Sequence, residues 1–315
     1  MTDRRVVLTG GSGFVGQILQ QGLARRGYRV DVFDQYRGVL VKLLRRRHFG
    51  TSRGSIGQRA AHLVARVQRR ASRTLLGSAI VPPTTDHILD VRSRLAARFA
   101  GADAVVHLAG IAHPNQPGSA AVDFERINYE GSINVFEAAR LAGVSRFIFA
   151  SSGQVYGINK PVRVDQFPIL ESNYLPTADD GQSAYGLMKV KFEGYLAATC
   201  EPGGTQGISI RLEYPGFQSD TPGNFYVSTS LENLTQGVAR AIENTASFTA
   251  EAFNIVDGHV DERIVDVQAF VRERWPDVPN HSVGNESLLS VEKARRLLGY
   301  DPIRNGSYFP VTLVW

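Results

Sequence analysis

Three glycines, Gly10, Gly13 and Gly16, stand between an apolar run, Arg5–Thr9, and a helical pattern through Ile18, Leu19, Leu23 and Ala24. Few arrangements restrict a chain so tightly. A short, continuous apolar run is the pattern of a strand buried on both faces of a sheet. The first glycine permits a tight turn, the second lets backbone approach a pyrophosphate, and the third lets the helix pack closely on the sheet. The helix then opens at Phe14 and Val15, offering N–H groups and a partial positive charge to phosphates. Gly27 stops it, and Tyr28–Asp34 is the next strand.

Asp34 ends that second strand, 18 residues after Gly16. A carboxylate there accepts hydrogen bonds from both ribose hydroxyls of an adenosine and repels a 2′-phosphate, favouring NAD over NADP. Arg37 and the basic run beyond it keep NADP as the alternative. The plain reading of Asp34 is a solvated turn residue.

The strand–helix rhythm continues. His87–Asp90 reads as a short strand, Ser93–Phe99 as a helix, Ala104–Ala109 as a buried strand and Phe124–Leu141 as a helix. Arg146–Ala150 is a further strand, Tyr185–Thr199 a helix, and Gly207–Leu212 the strand after it. Such alternation predicts an α/β fold, a doubly wound parallel sheet with helices on both faces. Residues 1–212 form the dinucleotide-binding domain on this reading, with a basic helical insertion at about 36–85. Residues 213–315 form a small C-terminal substrate lobe that returns elements to the main sheet, with helices at 231–244, 264–275 and 291–298 and a strand at 252–256.

Composition narrows the setting. Hydrophobic residues make up 43% of 315, ample for a core, and the single cysteine, Cys200, excludes a disulfide framework. No apolar stretch reaches the roughly 18 residues of a membrane span, and the start lacks a signal-peptide core. A cytoplasmic protein is expected. The formal charge of +5 is concentrated: no acidic residue lies between Asp34 and Asp86, where arginines crowd. Apolar residues from Ile56 to Leu75 recur there at helical spacing. The insertion reads as an amphipathic arm packed on the domain or on a second subunit, which makes a homodimer one expectation. Anion binding is the alternative, and no recognised nucleic-acid module accompanies the arginines.

Tyr185 and Lys189 place a phenol and an ammonium on one helix face. A phenol with a pKa near 10 is a poor base at neutral pH, and a nearby cation favours its ionised form. YxxxK alone is a common accident. Here a serine-bearing strand end, Ser151–Gly157, precedes it, where the strand carboxyl ends of a dinucleotide-binding sheet converge.

Taken together, Thr9–Gly16, Asp34, Asp90-Val91, His107–Gly110, Asn128, Ser151–Gly157 and Tyr185 with Lys189 resemble the extended short-chain dehydrogenase/reductase family. That family includes NAD-dependent sugar epimerases and dehydratases, and the resemblance spans nearly the whole chain. It implies a Rossmann-type sheet and NAD as cofactor. Tyr185 would then be the general base or acid, Lys189 would lower its pKa and hold the nicotinamide ribose, and Ser152 would orient the reacting oxygen. Asp90 and Val91 would touch adenine, while Leu108, Ala109 and Gly110 would form the wall beneath the dinucleotide. Asn128 would support the helix that carries the site.

The resemblance leaves the reaction open. Dehydratases of the family carry an acidic pair just after the catalytic Ser or Thr, where this chain has Gly153 and Gln154. Arg211–Gly216 leads quickly to Asn224 and the next helix, a shorter lobe than that of nucleotide-sugar epimerases. The first expectation is an epimerase acting on a sugar or sugar-nucleotide hydroxyl through a transient ketone. The alternatives are an NAD(P)-dependent dehydrogenase or reductase of a free sugar, uronate or small alcohol, and a regulatory protein without turnover. His113, Gln154 and Glu213 are the candidate substrate contacts. His107 packs at its strand end, and the proposed chemistry requires no metal.

Overall fold

The first apolar run forms β1 (Arg5–Thr9), whose last four residues are buried. Gly13 opens α1 (Phe14–Arg25), Gly27 at φ 88° turns the chain back, and β2 (Arg29–Phe33) pairs with β1 in parallel. The computed structural model describes residues 4–34, 94–112, 119–158 and 163–309. The basic insertion, the strand expected at His87–Asp90, and the candidates Asp90, Val91 and His113 lie outside the described residues.

After a helix over residues 94–99 come β3 (Ala104–His107), α2 (Ala121–Phe124), a π-helical turn (Glu125–Glu130) and α3 (Gly131–Leu141). The sequence pattern predicts one regular helix over Phe124–Leu141, and the wide turn at its start is a departure. Such turns often sit at functional sites, because they re-aim side chains within a helix. Then follow β4 (Arg146–Ser152), a 3₁₀ turn (Gly153–Tyr156), α4 (Ala184–Thr199) and β5 (Gln206–Leu212). The last part supplies α5 (Leu231–Glu243), β6 (Ala250–Asn254), α6 (Val267–Arg274) and α7 (Glu292–Leu298).

All six described strands are parallel, in the order β2-β1-β3-β4-β5-β6. This is the Rossmann-type α/β arrangement expected from the alternation. Strand pleating divides the core. Val6 and Leu8 pack on one side with Leu19 and Leu23 of α1 and Leu234 and Val238 of α5. Val7, Val105, Phe147 and Phe149 pack on the other with Phe136 of α3 and Phe192 of α4. Truncating one of these buried phenylalanines to alanine costs about 3–5 kcal/mol.

β2 lies on one side of β1 and β3 on the other, so the winding reverses beside β1. In such sheets ligands bind outside the carboxyl ends at that reversal. β6 comes from the segment after residue 213 and extends the main sheet. No helix among the described residues is long and apolar enough to cross a membrane.

Candidate active site

The glycine turn is held on three sides. Gly10 sits at φ 72°, and a Cβ on it would lie 2.6 Å from the backbone nitrogen of Ala109. A Cβ on Gly16 would lie 2.4 Å from the carbonyl oxygen of Gly11, so the first turn of α1 rests directly on the turn. Asp34, at the end of β2, accepts a hydrogen bond from the Ser12 N–H at 3.0 Å, tying the carboxylate to the turn. Gly13 caps α1 without a side chain, which leaves capping of that helix end to backbone or to an anion. These features fit a bound pyrophosphate, and Leu108, Ala109 and Gly110 continue from β3 beside them, the last two exposed.

Two aromatic rings that the sequence reading missed flank the start of α1. Phe217, soon after β5, stacks on Phe14 at 4.9 Å between ring centroids, and Phe309 meets the same ring edge-on at 5.5 Å. The Phe309 N–H donates to the Gly216 carbonyl at 2.8 Å, which holds Phe309 beside the start of α1. Only the order of residues was legible beforehand, and no local spacing links Phe14 to Phe309.

Two buried polar clusters occupy the strand ends farther along the sheet. In the first, the His107 ring bonds Thr9 Oγ1 through Nδ1 at 2.6 Å and Ser132 Oγ through Nε2 at 2.9 Å. Ser132 donates its own proton to the Asn128 carbonyl at 2.7 Å, so its oxygen accepts from Nε2–H. Nδ1 therefore accepts from Thr9. Burial, with the charge of Lys189 adding to it, pushes the imidazole down to about 3, and His107 stays neutral. Asn128 stands in the π-helical turn, where its side chain accepts from the Ile111 N–H at 2.7 Å and donates to the Ile111 carbonyl at 3.0 Å. Its direct contacts thus brace the loop after β3.

The second cluster brings together Ser152, Gln154, Tyr185, Lys189 and Glu213. Ser183 caps α4 by accepting from the Gly186 N–H at 3.1 Å, which fixes Tyr185 in the first turn and Lys189 one turn on. Ser152 stands beside the Tyr185 phenol and the Glu213 carboxyl and favours the ionised form of each, and its Oγ accepts from the Gln154 N–H at 3.2 Å. Gln154 Nε2 donates to Glu213 Oε1 at 3.4 Å. Lys189 donates to the Ala150 carbonyl at 2.6 Å and lies 5.4 Å from the Tyr185 ring centroid.

The charges differ from the sequence expectation. Burial pushes the Tyr185 phenol well above its ordinary value, with the neighbouring Ser152 hydroxyl opposing it and the Glu213 charge adding to it. Any lowering by Lys189 is outweighed, because desolvation of a phenolate is the larger effect. Burial also lowers Lys189 to about 8 and raises Glu213 to about 8. Behind the cluster, Arg211 and Glu193 form a buried ion pair at 2.6 Å that ties α4 to β5.

The family model for the NAD-dependent epimerase/dehydratase family matches residues 6–215. A UDP-N-acetyl-alpha-D-glucosaminuronate decarboxylase of Bacillus cytotoxicus is 25% identical over 200 residues, which are 63% of this chain and 48% of that protein. The chain thus spans about half the length of that relative. An L-arabinose 1-dehydrogenase (NAD(P)(+)) of Haloferax volcanii is 28% identical over 203 residues, 59% of this chain and 78% of that one. Among solved structures, MoeE5 in complex with UDP-glucose and NAD superposes with a TM-score of 0.59 at 18% identity, covering 96% of this chain and 94% of that chain. This last likeness is one of fold.

Proposed function

Because the chain belongs to the NAD-dependent epimerase/dehydratase family, we propose that it oxidises a hydroxyl group of a sugar or sugar nucleotide at Tyr185 and returns the hydride to the resulting ketone, as an epimerase. Bound NAD supplies the hydride acceptor and donor. Gly10, Gly13, Phe14, Val15 and Gly16 would hold its pyrophosphate and Asp34 its adenosine ribose. Asp90 and Val91 would meet the adenine, and Leu108, Ala109 and Gly110 would line its bed. Lys189 would reach the nicotinamide ribose, and Asn128 would keep the loop after β3 in place.

The observation that carries this reading is the buried Tyr185 in the first turn of α4, with Lys189 one turn on donating to the Ala150 carbonyl near the carboxyl end of β4. A phenol placed there accepts the hydroxyl proton as the C–H bond breaks, and the serine hydroxyl supports the oxygen while charge moves through it. His113 and Gln154 would contact the sugar. Residues 213–315 would supply the remaining substrate lobe, and a homodimer would be the working assembly.

Net dehydrogenation is the second reading, favoured by the Haloferax relative and by the short segment between β5 and α5. The test is turnover of purified protein with NAD against UDP-glucose, free uronates and L-arabinose, following NADH absorbance and product stereochemistry together. An inverted sugar without net NADH supports epimerisation. Stoichiometric NADH supports dehydrogenation. Neither product from any of these sugars would overturn the assignment to sugar hydroxyls.

A further inference from the structure

Residues 301–309, which follow α7, lie along α5 as a strap held by the side chains of that helix. Gln236 Nε2 donates to the Asp301 carbonyl at 2.8 Å, and its Oε1 accepts from the Asp301 N–H at 2.6 Å. One turn nearer the start of α5, Asn233 makes the same pair of bonds with Ile303, at 2.9 and 2.8 Å. Glu232 then accepts from the Ser307 N–H at 2.7 Å, and the Leu231 N–H donates to the Ser307 carbonyl at 3.0 Å. Ile303, Arg304 and Asn305 are exposed, so hydrogen bonds and not a core hold this stretch.

The fit is closest at Gly306. A Cβ there would lie 2.1 Å from Ser230 Oγ and 2.3 Å from Ser230 Cβ, so a side chain at this position lifts the strap. Tyr308 donates to Asp257, a buried carboxyl group that also accepts from the Ser230 N–H at 2.9 Å and from Asn233 Nδ2 at 2.7 Å. Phe309 follows, bonded through its N–H to the Gly216 carbonyl, with its ring edge-on to Phe14, the first residue of α1.

The segment that receives Phe309 leads from one half of the site to the other. β4 and β5 run parallel with Ser152 paired to Leu212, so Gly153 and Glu213 leave the two strands side by side, and a Cβ on Gly153 would lie 2.7 Å from Cγ of Glu213. Three residues on, a Cβ on Gly216 would lie 3.1 Å from the Phe14 ring and from Cδ1 of Ile18. Thr229 holds both ends: its Oγ1 donates to the Glu213 carbonyl at 2.9 Å, and its own carbonyl accepts from the Gly216 N–H at 2.7 Å.

We propose that the strap is part of the dinucleotide site: Phe309, together with Phe217, positions Phe14 and with it the helix end that holds the pyrophosphate. This rests on the reading of the turn at Gly10–Gly16 as the pyrophosphate seat. Phe14 stands between one stacked ring and one edge-on ring, and it opens the helical turn whose N–H groups no intrahelical carbonyl reaches. Fixing that backbone before the anion arrives lowers the ordering cost of binding. Apolar rings around the helix end also displace water that competes for the same N–H groups. Phe309 acts through Phe14 and is a positioning residue. The coupling is reciprocal, so a strap that tightens binding is itself tightened by what binds.

The test begins with the unaltered protein. Amide hydrogen exchange followed by mass spectrometry should show slower exchange over residues 301–309 when NAD or ADP-ribose is bound. Phe309→Ala at the turn, and Gly306→Val at a distance from it, should each weaken NAD and ADP-ribose in calorimetric titration by roughly three- to tenfold, the size of one aromatic pair. ADP-ribose lacks the nicotinamide, so an equal factor for both ligands places the effect at the end they share. Phe309→Tyr keeps the ring and should bind as the parent does. A strap that is structural alone would lower the melting temperature of Phe309→Ala and Gly306→Val and leave both affinities at parental values. That result, or exchange over 301–309 that NAD does not slow, would overturn the inference. Failure of the parent to bind ADP-ribose would remove the pyrophosphate reading of the turn and the strap's role with it. Parental binding with unchanged variants would remove the strap's role alone.

Discussion

Two buried polar clusters lie at the carboxyl ends of one sheet, and they are built to opposite ends. Around His107 every proton has one place: Thr9 donates to Nδ1, Nε2 donates to Ser132, and Ser132 donates to the Asn128 carbonyl. Around Ser152 burial instead encloses groups whose charged forms it disfavours, pushing the Tyr185 phenol up, lowering Lys189 to about 8 and raising Glu213 to about 8. The difference teaches that burial and hydrogen bonding do not by themselves mark a reactive site. The mark is a group of titratable side chains brought together where burial shifts their ionisation.

The largest effect comes from breaking the second cluster. Tyr185→Phe should lower kcat by about a hundred- to ten-thousand-fold, while NAD affinity by fluorescence titration and the melting temperature stay near parental values. A variant that unfolds instead would erase the contrast between the clusters. Breaking the first cluster should do the reverse. His107→Leu leaves the Thr9 and Ser132 hydroxyls without their buried partner, and denaturant titration should show a loss of about 2–4 kcal/mol with kcat of the folded protein unchanged.

Titration sharpens the same contrast. His107 has a folded-state pKa pushed down to about 3. Below an unfolded value near 6.5 only the unfolded imidazole takes up a proton, so its contribution to stability is lost as pH falls through that window, by at most about 1.4 kcal/mol per pH unit. Glu213 is raised to about 8. Above an unfolded value of about 4.3 only the unfolded carboxyl ionises, so stability falls as pH rises toward 8, with a limiting slope of the same size. Melting curves across pH should lose the acid slope in His107→Leu and the other slope in Glu213→Gln. The smallest expected change is at the glycine turn: Asp34→Ala should weaken NAD relative to NADP by about tenfold, one lost charge-assisted contact.

How much of this was legible in the sequence follows from distance along the chain. The turn at Gly10–Gly16, the alternation of strands and helices, and the pairing of Tyr185 with Lys189 are local patterns, and local geometry sets them. The packing of His107 at its strand end was also readable. Glu213 was legible only as a substrate contact, because its link to Gly153 depends on the register of β4 against β5. A glycine leaving one strand opposite a glutamate leaving the next was the available signal, and it becomes meaningful only once those strands are neighbours. The π-helical turn at Glu125–Glu130 had no such signal, since its residues fit an ordinary helical period. Lys189 was expected to favour the ionised phenol, whereas burial among α4 and the sheet raises the pKa of Tyr185.

Everything proposed for Tyr185 requires the reactive ring of the dinucleotide to lie against its hydroxyl. A crystal structure with NAD bound measures that directly. The account predicts the pyrophosphate on the turn at Gly10–Gly16 and the nicotinamide within contact of the Tyr185 oxygen, beside Ser152. A dinucleotide bound with its nicotinamide away from Tyr185, or a phenol turned from the ring, would contradict it.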